Sequence, residues 1–311
     1  MEISGVYIRA FVVLLMAGGC LAGCSSGGST AMTPVAFTSF SAVTNGQAVQ
    51  AKQGISQTMN LASPVTTTLS LPDTANSTAQ FTYTNIGTST TPAMTNIAFT
   101  TPGSSASWSG GNIDCTSLAP LCTASNTSAT GRVVNALDPS VVWNYQSFGY
   151  WINTTSLSST AAGAISFGSR TPVTGLPTTG TTVPYNGRSG GVYIDPSGNL
   201  FTYSGTMTST VDFVGRSITF NSNVGQITPV AGGVVPPANP AILNINTTFN
   251  YLPGTSQFSA PVNATGQTAG GLSGTLSGTF YGPTAQEIGG TFSLNATTGR
   301  EAMVGGFGGK R

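Results

Sequence analysis

The sequence has no histidine, and only 5% of its 311 residues are charged. Each absence excludes chemistry. Without imidazole there is no Ser-His-Asp or Cys-His nucleophilic site. Imidazole-held metals and a His-ligated haem go for the same reason. Nine basic residues against eight acidic leave a formal net charge of +1. Gripping a phosphate backbone needs clustered Lys or Arg. Only Lys310-Arg311 form a basic pair, so no nucleic-acid partner is expected. Carboxylates are equally sparse: Asp73, Asp114, Asp138, Asp195, Asp212, Glu287 and Glu301 follow the N-terminal leader. Two would suffice for a glycosidase, but no local motif singles out a pair. Asp195 lies in a Pro-Ser-Gly turn, which is ordinary turn chemistry. Glu287 is expected to pair with Arg300 or to cap a turn. A Walker loop, a nucleophile elbow and a calcium loop are all missing. The expectation is therefore a protein that is not an enzyme, with no cofactor and no catalytic or metal-binding residue.

What the chain does have is glycine, 41 residues of it, and 9% aromatics set in alternating runs. Disorder normally brings few aromatics and high charge, so a β-rich fold is the better reading. The clearest run is Ala269 to Arg311. Leu272, Leu276 and Phe280, then Ile288, Phe292 and Leu294, recur at even spacing, which puts them on one face of a strand. Gly282-Pro283 and Asn295 to Gly299 supply turns between them. Three consecutive antiparallel strands follow. Upstream, one strand runs through Tyr185 to Ile194. Phe201, Tyr203, Met207, Val211 and Phe213 share a face of the next, and Ile218 and Phe220 continue after a turn near Gly215. Leu243, Ile245, Phe249 and Tyr251 alternate against asparagines, and Phe258 and Val262 make a weaker strand. That totals eight strands, enough to close a barrel whose interior side chains fill. A membrane-spanning barrel is the alternative; the terminal Lys310-Arg311, in place of an aromatic residue, argues against it.

The N-terminus carries one basic residue, Arg9, before an apolar run from Ala10 to Ala17. The run is too short to span a bilayer. It leads to Leu21-Ala22-Gly23-Cys24, which resembles the bacterial lipobox. That resemblance implies that residues 1–23 are a removed signal and that Cys24 is lipidated. Several acyl chains would hold the protein to a lipid bilayer, each buried CH2 contributing about 0.8 kcal/mol. No Asp follows Cys24, which favours the outer membrane. Residues 24–63, rich in Ser, Gly, Thr and Gln, read as the lipidated Cys and a flexible tether, with strand character near Val35 to Thr44.

Residues 64–178 read as a β-rich, handle-like domain, with strands at Thr66 to Leu71, Ala79 to Thr84 and Asn96 to Thr100. Cys115 and Cys122 are expected to form a disulfide in an oxidising compartment. A redox or metal role has little support, because the spacing is not CxxC and no His or second Cys pair is available, Cys24 being expected to carry lipid. The cluster Trp143 to Ile152, WNYQSFGYWI, is read as core and interdomain packing. A carbohydrate-binding strip is the alternative.

The segment YGPTAQEIGGTFSL, followed by GGFGGKR, resembles the last barrel strands of the transferrin-binding protein B family of lipid-anchored outer-membrane proteins. The matching positions are Phe280, Tyr281, Gly282, Ala285, Glu287, Ile288, Gly289, Gly290, Phe292, Gly305, Phe307, Gly308 and Arg311. Leu176-Pro177, Gly180, Tyr185, Gly187 and Gly190 resemble the start of that family's barrel, and YQSFGYW resembles the segment before it. The resemblance implies an all-β chain with an N-terminal handle-like subdomain. A C-terminal eight-stranded antiparallel β-barrel would occupy residues 179–311. It also implies a surface lipoprotein that captures a solute through its loops and passes it to a membrane transporter. The candidate partners are an unknown host protein such as an iron carrier, haem or another solute, together with a TonB-dependent outer-membrane receptor. A structural or adhesive surface lipoprotein without a transported ligand is the alternative.

Overall fold

The computed structural model describes residues 34–62, 66–86, 92–153, 161–180, 182–266 and 271–311. The signal segment and Cys24 lie outside the described residues. Among those residues the helical pieces are 3-10 turns of three or four residues, and strands make the architecture. The first sheet is built from β1 (Val35–Ala36), β2 (Ala48–Asn60), β3 (Thr68–Leu69), β4 (Asp73–Thr84), β5 (Ala93–Thr101) and β6 (Ser104–Ser109). It continues with β7 (Ile113–Asp114), β8 (Leu121–Ser125), β9 (Ala129–Val134), β10 (Gln146–Asn153) and β11 (Ala161–Gly168). Its order is β6-β5-β4-β2-β11-β10-β9-β8-β7, and the short β1 and β3 also pair with β2. The second sheet holds β12 (Val183–Ile194), β13 (Leu200–Asp212), β14 (Ser217–Pro229) and β15 (Ile245–Asn250). It is completed by β16 (Gln257–Asn263), β17 (Ser273–Tyr281), β18 (Glu287–Asn295) and β19 (Ala302–Lys310). The protein is thus all-β, a handle-like sheet followed by an eight-stranded antiparallel barrel.

Alternation makes the barrel. Phe201, Tyr203, Met207 and Val211 of β13 are buried inside it, as are Leu276, Phe292, Met303 and Phe307. Phe220 and Phe307 meet at a ring-centroid distance of 4.7 Å, so side chains fill the axis. The strand order runs β15-β14-β13-β12-β19-β18-β17-β16, which leaves β15 and β16 to close the cylinder. They pair through one bridge, Ile245 to Ala264, supported by the Thr265 amide donating to the Asn244 carbonyl at 2.7 Å and by the Phe249 and Phe258 rings at 5.9 Å. Pro261 sits in β16 and has no amide hydrogen, which suits a strand at such a seam.

The handle sheet lies against the barrel through β2, β10 and β11. Glycine lets the layers approach. A Cβ on Gly306 would lie 2.7 Å from the Phe148 ring, and one on Gly289 would lie 2.8 Å from Gln146 and Ser166. Polar side chains finish the joint. Gln57 Nε2 donates to Ser293 Oγ at 2.7 Å, and Ser166 Oγ and the Tyr281 hydroxyl are 2.9 Å apart. Trp143, Phe148, Tyr150 and Trp151 are all buried, Phe148 and Tyr150 against barrel glycines and Trp151 against Phe99 of the handle, so the aromatic cluster offers no carbohydrate strip.

Residues 48–60, expected as tether, form β2 at the centre of the first sheet. Bulges between Ala51 and Ser56 shift the register, and the consecutive residues Gly54 to Gln57 are all buried, so no simple alternation survives. The strand expected over Thr66 to Leu71 shortens to Thr68–Leu69, and Leu243 stands in a 3-10 turn ahead of β15.

Candidate functional site

One end of the barrel gathers the hairpins Phe213 to Arg216, Tyr251 to Ser256 and Gly282 to Gln286. Aromatic rings plug it from within. Phe213, Tyr251 and Phe258 surround Phe280 at centroid distances of 5.0, 5.7 and 5.5 Å. Tyr185 joins them, and its hydroxyl donates to the Ala285 carbonyl at 2.6 Å. Burial pushes the Tyr185 and Tyr251 phenols up, so both stay neutral. Asp212 Oδ1 accepts the amides of Val214 and Gly215 at 3.0 and 2.8 Å, which shapes the first hairpin. The Tyr251 amide donates to the Arg216 carbonyl at 3.0 Å and ties the second hairpin to the first.

The tips above this plug are apolar. Leu252 is 76% exposed and Val214 is 57% exposed. Scattered exposed aliphatics are ordinary, but these two crown adjacent tied hairpins on a rigid base. Arg216 beside them is exposed and has a left-handed backbone, φ +54°. A cavity of about 340 Å³ opens beneath Leu252, lined by Tyr251, Phe258, Asn250 and Thr74 of the handle. Such a surface offers shape, apolar contact and one cation. Among the described residues no group of three or more His, Cys, Asp and Glu could hold a metal ion.

Glu287 opens β18 at the same end but is buried. Its Oε1 accepts the Asn144 amide at 2.6 Å and its Oε2 the Tyr145 amide at 2.9 Å. Burial raises its carboxyl to about 7, against those amides and Lys310, which pull the other way. The carboxylate therefore fastens the barrel to the chain entering β10. Its expected partner Arg300 lies past the far end of β18 and donates from Nη2 to the Leu61 carbonyl at 3.3 Å. Glu287 caps backbone amides, and the alternative of an Arg300 pair is corrected.

Cys115 and Cys122 are joined, with Sγ atoms 1.98 Å apart, and staple the turn between β7 and β8. Sequence reasoning did not find Val214 and Leu252. Their one signal was an aliphatic residue inside a turn, at Val214-Gly215 and Leu252-Pro253-Gly254.

Residues 176–311 match the family described as the C-lobe and N-lobe beta barrels of Tf-binding protein B. Two solved structures are similar to the chain. A transferrin-binding protein B mutant from Haemophilus parasuis is 17% identical, with a TM-score of 0.46 over 83% of this chain and 45% of that one. The isotype 1 transferrin-binding protein B of serogroup B Neisseria meningitidis is 18% identical, with a TM-score of 0.46 over 83% and 43%. The chain thus spans less than half the length of these structures. No curated protein sequence matches it. Residues 176–311 thus form a barrel of the transferrin-binding protein B type.

Proposed function

We propose that this protein is a non-enzymatic binding module. Lipid on Cys24 holds it at the outer-membrane surface, and its barrel tips capture a solute for a membrane transporter. The observation that carries this reading is the pair of apolar tips, Val214 and Leu252, raised on a filled, rigid barrel of this family. A packed axis leaves the loops as the place where a ligand is met. The ligand class is a host iron carrier, haem or a comparable solute, and a TonB-dependent receptor is the partner that would accept it. The supporting chemistry is contact and orientation: exposed aliphatics for an apolar patch, Arg216 for an acidic group on its rim.

The test is capture by the soluble chain Ser25 to Arg311, immobilised and exposed to host fluids and to haemin. Specific retention of an iron carrier or of haemin supports the reading. Retention of neither, with adhesion to host cells or matrix instead, points to the adhesive alternative. Metabolic labelling with palmitate tests the anchor: label lost in Cys24→Ser agrees with lipidation, and label retained there contradicts it.

A further inference from the structure

We propose that the crevice between the β8–β10 face of the handle and the neighbouring end of the barrel binds a small carboxylate with an apolar body, with Arg132 as its anion partner. This rests on residues apart from the barrel tips and stands whether or not those tips capture a solute. The crevice has a volume of about 230 Å³. Its walls come from two elements that are rigid for separate reasons. Tyr150 and Ile152 of β10 are buried against the barrel and form its floor. Pro229 and Val230, at the end of β14, form the opposite wall, and the Val230 amide is held by the Leu200 carbonyl at 3.0 Å.

The polar part is one cation and hydroxyls. Thr123, Arg132 and Tyr150 are direct cross-strand partners, so they share the face that looks into the crevice. Arg132 is half-buried and has no carboxylate partner among the described residues. The nearest acid in its row is Asp114, across from Thr123 and so two strands away, about 10 Å by strand spacing. Asp114 is already engaged: Oδ1 accepts from the Thr116 amide and hydroxyl at 2.7 Å, and Oδ2 accepts the Ser117 hydroxyl. Tyr150 cannot supply the negative charge either, because burial pushes its phenol up to about 12.

A guanidinium beside an apolar floor and wall selects for a molecule with both properties. Its fork accepts a carboxylate bidentately. Thr123 and Thr202 can donate to the same oxygens, while Ile152 and Val230 cover a short hydrocarbon. The volume lies below the roughly 300–1,000 Å³ of a drug-sized site, so the ligand is small. An amine of the same shape would meet like charge and is excluded.

The probes are hexanoate and hexylamine, titrated into the isotope-labelled Ser25 to Arg311 chain while amide shifts are followed. The expected result is saturable movement of the Thr123, Arg132, Ile152 and Val230 amides with hexanoate, in the millimolar range or tighter. Hexylamine should bind at least tenfold more weakly, and Arg132→Gln should weaken hexanoate by at least tenfold. Val230→Trp, at an exposed wall position, should block the crevice without touching Arg132. If Arg132→Gln does not fold, this second variant decides. No saturable shift at those amides overturns the proposal. So does equal affinity for the two probes, or undiminished hexanoate binding in a folded Arg132→Gln or in Val230→Trp.

Discussion

The handle sheet and the barrel use the same elements under different rules. In the barrel, the strands pair over long registers, with a shift between Ser204 and Gly205, and eight of them share one aromatic core. In the handle, strands as short as two residues and bulged strands surround a separate core of Trp108, Trp143 and Trp151 with six phenylalanines and two tyrosines. The lesson is that regular pairing lets the barrel spend few side chains on uniqueness, whereas the handle depends on individual large residues and local staples. Perturbations should separate the two regions accordingly.

The largest separation is expected from Trp151→Ala. Trp151 is fully buried and packs 5.5 Å from the Phe99 ring. Its loss should destabilise by about 3–5 kcal/mol, with amide exchange accelerating in β9 to β11 before β17 to β19. Equal acceleration in both sheets would show a single cooperative core. Next comes the disulfide. Removing it with Cys115→Ser and Cys122→Ser frees an eight-residue loop, with an expected loss of about 2–3 kcal/mol. The change should stay in the handle; barrel amides that exchange faster would blur the distinction. Gly306→Leu attacks the joint, because any side chain there meets Phe148. Overpacking of this kind is expected to lower stability by about 1–3 kcal/mol, read by denaturant unfolding. A neutral result would mean the layers do not press together.

Glu287 sharpens the comparison through pH. Its folded carboxyl titrates at about 7 against an ordinary 4.5. Between those values the native state holds the extra proton, so this group's contribution to stability falls as pH rises from about 4.5 to about 7. Above that window it is constant. Denaturant midpoints for Glu287→Gln should lack this slope, and parallel curves for the two proteins would show that the carboxyl does not titrate there. Smallest in stability are Val214→Asp and Leu252→Asp, expected within about 0.5 kcal/mol because both tips are exposed.

The difference between the regions also explains what was legible in the residues. Leu276, Phe280, Ile288 and Phe292 recur at a period of two, and all lie inside the barrel. The handle hid β2 because its bulges break that period and because buried Gln57 looks like a tether residue until Ser293 is placed opposite it. The short polar strands β6, β8 and β9 offered too few apolar positions to read. At the candidate site, the aromatic plug was visible as strand alternation. The exposed tips were not, since nothing local marks an aliphatic residue in a turn as functional. Glu287 was found as a residue but not as a clasp, because its donors at Asn144 and Tyr145 lie more than 140 residues away.

The most direct test pairs binding with stability. A double variant, Val214→Asp with Leu252→Asp, is compared with the unaltered chain for equilibrium binding of haemin and of purified host iron-carrier proteins. The account predicts that one of these binds the unaltered chain and loses at least tenfold in affinity in the variant, whose thermal midpoint stays unchanged. Equal binding to both chains, or no binding of any of them to the unaltered chain, would contradict it.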